Sequence, residues 1–358
     1  SETTAAEGFH FPIRNVLIRA CQYLIAKFDV DGFRIDTLKY IEPEFAQVFG
    51  NAMREFALAI GKKNFFSFGE VYDDEETIAR FIGRTAAEGT DMMGVDAALD
   101  FPLFYRLPGV AKGLAAPVEV IDVFEHRKEV QRGLISSHGE ASRFFVTFLD
   151  NHDQRQRFFF SDPANPGRFA DQLTLGLACL YTLQGIPCLY YGTEQALHGG
   201  GGTDLAVREA LWGKPNPFDR THPAYKAIRR LAELRGGQPA LRYGRQYFRP
   251  ISGDGIHFGV SPFQSGVLAF SRILNDREVV VVANTNASAG WTGEVIVDLA
   301  LNPAGSRFEV LFSNKSFSLS PDGSLTVPDP VFERQEGRVE IREVGGRVSA
   351  GPTRALRA

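Results

Sequence analysis

Residues 1–237 of this chain alternate between helical and strand-forming runs, and that alternation restricts the fold more than any single motif does. An amphipathic helix is predicted over 9–28, with Val16, Leu17, Ala20, Leu24 and Ile25 near helical spacing. A short strand follows at 33–36. A second helix runs over 42–60, with Pro43 suited to its first turn and Gly61 closing it. Further strands are predicted at 64–71, 95–101 and 143–149, with a buried strand inside 184–192. Further helices are predicted at 118–134, 169–183 and 223–234, and 73–82 reads as helix or loop. This order predicts a parallel sheet with crossover helices. After Gly236-Gly237 the helical period disappears. Short β-rich runs at 266–271, 278–284, 293–299, 307–312 and 339–344, separated by turn residues, predict an antiparallel sandwich. The expected organisation is an α/β domain over 1–237, an all-β domain over 238–344 and a fraying tail over 345–358. Gly199–Gly202 is expected to be a flexible loop after the last strand of the first domain.

Composition narrows the function classes. Apolar residues make up 44% and charged residues 23%, as in ordinary globular proteins, and the net charge of −4 argues against a nucleic-acid partner. No apolar run is long enough to span a bilayer. Cys21, Cys179 and Cys188 all lie in apolar segments. They are expected to be small buried side chains, with neither a disulfide framework nor a zinc site.

Three acids stand at the ends of predicted strands: Asp36, Glu70 and Asp153. In a parallel α/β barrel that end carries the chemistry. Residues i and i+2 of a strand share a face, so Arg34 and Asp36 project together, opposite Phe33 and Ile35. A carboxylate beside a guanidinium is held ionised, as a covalent nucleophile must be. A structural ion pair capping the strand is the equal alternative for this stretch alone. Glu70 follows Phe65, Phe66 and Phe68, and an apolar setting favours the protonated form that a proton donor needs. Asp153 has His152 beside it, a pair able to hold sugar hydroxyls. Retaining cleavage of a glycosidic bond uses one ionised and one protonated carboxyl about 5 Å apart. Taken singly, a strand-end Glu and a satisfied structural His are the commoner readings.

In their order along the chain these segments resemble the alpha-amylase family, glycoside hydrolase family 13. Asp31-Gly32-Phe33-Arg34-Ile35-Asp36 is similar to that family's fourth-strand motif and Phe68-Gly69-Glu70-Val71 to its fifth. Leu99-Asp100-Phe101-Pro102-Leu103 fits its sixth strand. Phe148-Leu149-Asp150-Asn151-His152-Asp153 is similar to its seventh, and the segment from Gly185 to Glu194 to its eighth. The resemblance implies a partial (β/α)8 TIM barrel, roughly strands 4 to 8, followed by the family's C-terminal sandwich. It implies Asp36 as nucleophile, Glu70 as acid/base and Asp153 as transition-state stabiliser, with Arg34, His152, Lys39 and Tyr40 binding substrate. The implied partner is an α-linked glucan, with no nucleic acid and no membrane.

Two departures matter. The motif at the end of the family's third strand has no counterpart before Asp36, so the first three strands and the domain inserted after the third are expected to be absent. Where many members have Lys-His after the nucleophile, this chain has Lys39-Tyr40. No metal ligand and no cofactor are expected here, although Tyr40 can offer a carbonyl and calcium is possible in the full-length protein. The expectation is a retaining α-glucan hydrolase, present as a fragment with little activity alone. The alternatives are a transglycosylase or isomerase of the same family, a non-catalytic carbohydrate- or protein-binding relative, and an unrelated barrel with metal-bound carboxylates.

Overall fold

The computed structural model of the protein describes residues 12–84, 93–131, 141–160, 164–165, 168–199 and 203–314, with short strands at 4–5, 8–9, 317–318, 324–326, 336–343 and 352–354. A short antiparallel pair, β1 (Thr4–Ala5) and β2 (Gly8–Phe9), precedes α1 (Pro12–Phe28), β3 (Gly32–Ile35), α2 (Pro43–Ala59), β4 (Phe66–Gly69), α3 (Glu75–Phe81) and β5 (Ala97–Ala98). Then come α4 (Phe101–Phe104), α5 (Leu107–Ala111), α6 (Val118–Val130), β6 (Val146–Thr147), α7 (Ala170–Thr182), β7 (Ile186–Pro187), α8 (Asp204–Val207), α9 (Pro223–Gly237) and α10 (Pro239–Tyr243). The rest is β structure: β8 (Arg245–Phe248), β9 (Ile251–Ser252), β10 (Val267–Leu274), β11 (Arg277–Asn284), β12 (Thr292–Asp298), β13 (Arg307–Val310), β14 (Phe317–Ser318), β15 (Ser324–Thr326), β16 (Glu336–Glu343) and β17 (Pro352–Arg354). The chain forms two compact units, 1–102 with 124–147, and 103–123 with 148–358.

In the first unit β3, β4 and β5 pair in parallel, with Arg34 opposite Phe68 and Gly69 opposite Ala98. A parallel bridge from Leu99 to Val146 extends the ladder towards β6. Phe33 and Ile35 point away from Arg34, into a cluster with Ile25, Phe49 and Met53. On α1 the packed face is Ile18, Cys21 and Ile25. Of the residues expected to pack, Ile25 does so, whereas Val16, Leu17 and Leu24 are exposed. Both stripes have helical spacing, and only contact with the sheet distinguishes them.

The predicted strands are shorter in the structure. The run over 95–101 becomes a two-residue strand and then a helical turn, because Pro102 removes a backbone donor. The 184–192 run keeps only Ile186–Pro187 as strand, and it is not buried: Ile186 and Cys188 are exposed. Pro187 again ends the ladder early. Of the three cysteines only Cys179 is buried, and Cys21 is intermediate. Most of the predicted Gly199–Gly202 loop, and 345–351 and 355–358 of the predicted tail, lie outside the described residues.

In the second unit the β-rich region forms antiparallel sheets in the orders β15-β13-β17-β11-β10-β8 and β14-β16-β12-β9. One apolar cluster draws Val267, Ala269, Val280, Val282 and Phe308 from the first sheet and Val295 and Val297 from the second. The predicted sandwich is thus present, its period-2 valines facing inward. Helical parts of the same unit bond directly to it. Buried Arg272 donates to the carbonyls of Thr182 at 2.7 Å and Gly244 at 3.0 Å, and Gln184 N–H donates to Gln246 Oε1 at 2.7 Å.

The first unit also buries an ion triad. Arg127, 1% exposed, donates to Glu75 Oε1 at 2.6 Å and Asp100 Oδ1 at 2.6 Å, and its guanidinium lies 3.9 Å from the centre of the Phe145 ring. Burial pushes the Glu75 carboxyl up and Arg127 opposes it. Removing the cation strands two acids in an apolar interior, which costs far more than losing a surface pair. Arg127→Met is expected to lower unfolding free energy by about 3–5 kcal/mol in urea titration. A loss below about 1 kcal/mol would show that the triad is not an essential charge balance.

Candidate active site

Asp36 is the first residue past β3, and the turn it opens is strained. Thr37, a β-branched residue, has a positive φ of 50°. The turn is locked to the neighbouring strand end. Glu70 N–H donates to Ile35 O at 2.8 Å, Lys39 N–H donates to Glu70 O at 3.3 Å, and Thr37 N–H donates to Glu70 Oε2 at 3.2 Å. Gly69 permits this approach, since a Cβ there would stand 2.1 Å from a Leu38 methyl.

Arg34 sits between the two acids. One of its terminal nitrogens pairs with Asp36, and the other lies 3.2 Å from Glu70 Oε1. A planar guanidinium fork spans only a few ångströms, so Asp36 and Glu70 are near neighbours. The shared face of Arg34 and Asp36 is as the i, i+2 spacing predicts. The purely apolar setting expected for Glu70 is corrected: the charge comes from the adjacent strand, where inspection of its own strand does not find it. Glu70 is largely shielded, and Asp36 is the more open of the two.

Lys39 turns towards the segment after β4. Its ammonium donates to Tyr72 O at 2.7 Å and lies 3.1 Å from Asp73 Oδ2. Its nitrogen stands 5.8 Å from the Tyr40 ring centre and 5.7 Å from that of Tyr72. Tyr40 is 77% exposed. Tyr72 and Asp73 escaped the sequence reading because nothing local marks them. Calcium asks for six to eight oxygens. Tyr40 supplies one carbonyl, and among the described residues no cluster of three His, Cys, Asp or Glu side chains could hold a metal ion. The described residues do not fit that ion by themselves.

The second unit holds His152 and Asp153. His152 Nε2 lies 3.1 Å from Asp153 Oδ2, and Arg208 donates to Asp153 Oδ1 at 2.6 Å and to His152 O at 3.0 Å. Arg208 was legible only as the end of the segment 199–208, which the sequence offers equally as a subsite or as a plain surface loop. The loop carrying His152 and Asp153 is closed from beneath by Asp150, whose Oδ2 accepts the Phe158 N–H at 2.8 Å. Arg157 lies 4.5 Å and 4.9 Å from the Tyr190 and Tyr191 ring centres and donates to Val207 O at 2.8 Å. Tyr190 also faces His152, with ring centres 6.5 Å apart.

Residues 10–210 match the family described as "Alpha amylase, catalytic domain". The alpha-amylase of Streptomyces lividans is 29% identical over 364 residues, covering 94% of this chain and 36% of that protein. A cyclomaltodextrin glucanotransferase of Paenibacillus macerans is 30% identical over 232 residues, covering 63% of this chain and 28% of that protein. Among solved structures, the Geobacillus thermoleovorans alpha-amylase complexed with acarbose superposes with a TM-score of 0.67 at 22% identity, covering 96% of this chain and 64% of that one. CldA, a cyclomaltodextrin glucanotransferase, gives 0.68 at 24%, covering 97% and 60%. At these identities the structural likeness is one of fold. The chain belongs to the alpha-amylase family, and its fold is akin to barrel proteins of that family that carry a C-terminal sheet domain. It spans about a third of the length of the curated relatives it matches.

Burial pushes the Asp150 carboxyl up to about 6 against the pull of the Phe158 N–H, Arg157 and Lys112. A carboxyl raised above its unfolded value binds the extra proton in the folded state. Its contribution therefore makes stability fall as pH rises from about 4 to about 6, and stay level above that. Asp150→Asn removes the titration and can keep the Phe158 bond through its amide oxygen. The stability of this variant relative to the unaltered chain is expected to rise by on the order of 2–3 kcal/mol across that window. A difference independent of pH in urea titrations would contradict the assignment.

Proposed function

We propose that the chain is the nucleophile- and acid-bearing part of a retaining enzyme acting on α-linked glucans. The observation that carries this is the pair of strand-end carboxyls, Asp36 and Glu70, bracketed by one guanidinium, in a chain of the alpha-amylase family. In this reading the Asp36 carboxylate attacks the anomeric carbon while Glu70 gives its proton to the glycosidic oxygen. The carbon–oxygen bond breaks and the leaving sugar departs as an alcohol. Glu70, now a carboxylate, takes a proton from water, whose oxygen attacks the anomeric carbon and releases Asp36. Two inversions give net retention. Arg34 pairs with the nucleophile and orients it, and Lys39 and Tyr40 border the same turn. Within the second unit, Asp153 and His152 are suited to be hydroxyl ligands of the glucan, whose hydrogen bonds speed a reaction where they strengthen as a ring flattens.

Some of the relatives are cyclomaltodextrin glucanotransferases. A sugar hydroxyl in place of water in the second step makes the same residues a transglycosylase. The Geobacillus thermoleovorans structure is complexed with acarbose and a further solved relative with maltotriose, which supports an α-glucan oligosaccharide as substrate here.

We further propose that these residues form a partial barrel, with barrel elements over 1–237 and the sandwich over 238–344, working within a longer enzyme. The exposed Ile13, Val16 and Leu17 on α1 support this, as an uncovered apolar stripe is costly in water. A non-catalytic binding relative is the alternative that mutation tests. In the protein that carries this chain, Asp36→Asn is expected to cut turnover of a chromogenic maltooligosaccharide by on the order of 10⁴ or more, without altering the unfolding midpoint. A variant that kept its rate would remove Asp36 from the mechanism. Turnover by residues 1–358 alone at the rate of ordinary amylases would refute the partial-enzyme reading.

A further inference from the structure

Within the second unit, the loop after α8 carries two exposed rings that none of the roles above uses. Trp212 is 78% exposed and Phe218 53% exposed, and the rings meet edge to face with centres 5.0 Å apart. Holding such surface in water is unfavourable, yet the loop is braced to do so. Lys214 pairs with Glu209. Gln195 brackets Asp219, its amide donating to the Asp219 carbonyl at 3.2 Å and its oxygen accepting the Asp219 N–H at 3.1 Å. Asp219 Oδ1 then accepts from the Thr221 N–H at 2.7 Å. The rings are displayed at little ordering cost to a ligand.

The loop continues from the Asp153 site. Arg208, which holds Asp153, is followed directly by Glu209, whose carbonyl accepts the Tyr191 hydroxyl at 2.8 Å. Trp212 is four residues beyond Arg208, at most about 14 Å along the chain.

We propose that Trp212 and Phe218 form an aromatic subsite for an α-glucan chain running on from the sugar bound at Asp153 and His152. The inference rests on the α-glucan reading above. A pyranose ring presents polarised C–H groups on its faces and hydroxyls at its rim. The faces suit the negative π-cloud of an aromatic ring, and the hydroxyls need polar neighbours. Both are present: the flanks are Lys214, Asn216, Asp219 and Arg220, not the continuous apolar surface that a lipid or a protein core requires. Two rings set at 69° make an angled cradle fitted to a curved chain.

The test is affinity electrophoresis of the chain through gels containing soluble starch, with starch-free gels as reference. The unaltered chain should be retarded, and Trp212→Ala and Phe218→Ala should each raise the dissociation constant about tenfold, the effect of losing one stacked ring. Trp212→Phe should recover most of the affinity. Phe263→Ala removes an equally exposed ring on the sandwich and should change nothing. If starch retards the chain and the Trp212→Ala and Phe218→Ala variants alike, within about twofold, the subsite is wrong and the α-glucan reading stands. If the unaltered chain shows no retardation, that reading falls and the subsite with it.

Discussion

One guanidinium organises the first unit. Arg34 stands in β3 and faces two acids, one just past the end of its own strand and one just past the end of β4. The one guanidinium gives both strand-end carboxyl groups a charged partner and so ties the two strand ends together. The same turn is fixed by three backbone donors, and Thr37 is held in a left-handed conformation that its side chain disfavours. Strain of this kind persists only where the surroundings over-determine it. Phe33 and Ile35 supply that support from the opposite face by packing on α2.

Elsewhere the protein sets a cation among acceptors again, there in the interior. Arg127 holds Glu75 and Asp100 in the first unit. In the second, Arg249 pairs with Glu278 at 2.7 Å, Arg272 takes two carbonyls, and Arg157 donates to the Val207 carbonyl beside two tyrosine rings. Such groups add modestly to net stability once desolvation is counted, but misplacing one is expensive. Each ties together residues distant in sequence. β5, β6 and β7 each have two residues, too few ladder bonds to set position alone.

The parts legible in the sequence were those decided by local spacing. The i, i+2 rule put Arg34 beside Asp36, and period-2 valines marked the sandwich. The order of strand-end acids led to the family. What stayed hidden depends on contacts distant in sequence. The Arg34–Glu70 contact crosses from one strand to the next, and Arg208 reaches Asp153 over fifty-five residues. The face of α1 that packs was misread because two apolar stripes compete on that helix, and the helical period is blind to which one meets a sheet. The prolines at 102 and 187 shortened strands that composition alone extends.

The central claim is that Asp36 forms a bond to sugar. It is tested most directly by reacting the protein with a fluorinated α-glucosyl fluoride, which forms the glycosyl ester quickly and hydrolyses it slowly, and then mapping the label by peptide mass spectrometry. The account predicts one added glycosyl group, on the peptide containing Asp36. Label on another residue, or turnover of α-glucan with inverted anomeric configuration and no label at all, would contradict it.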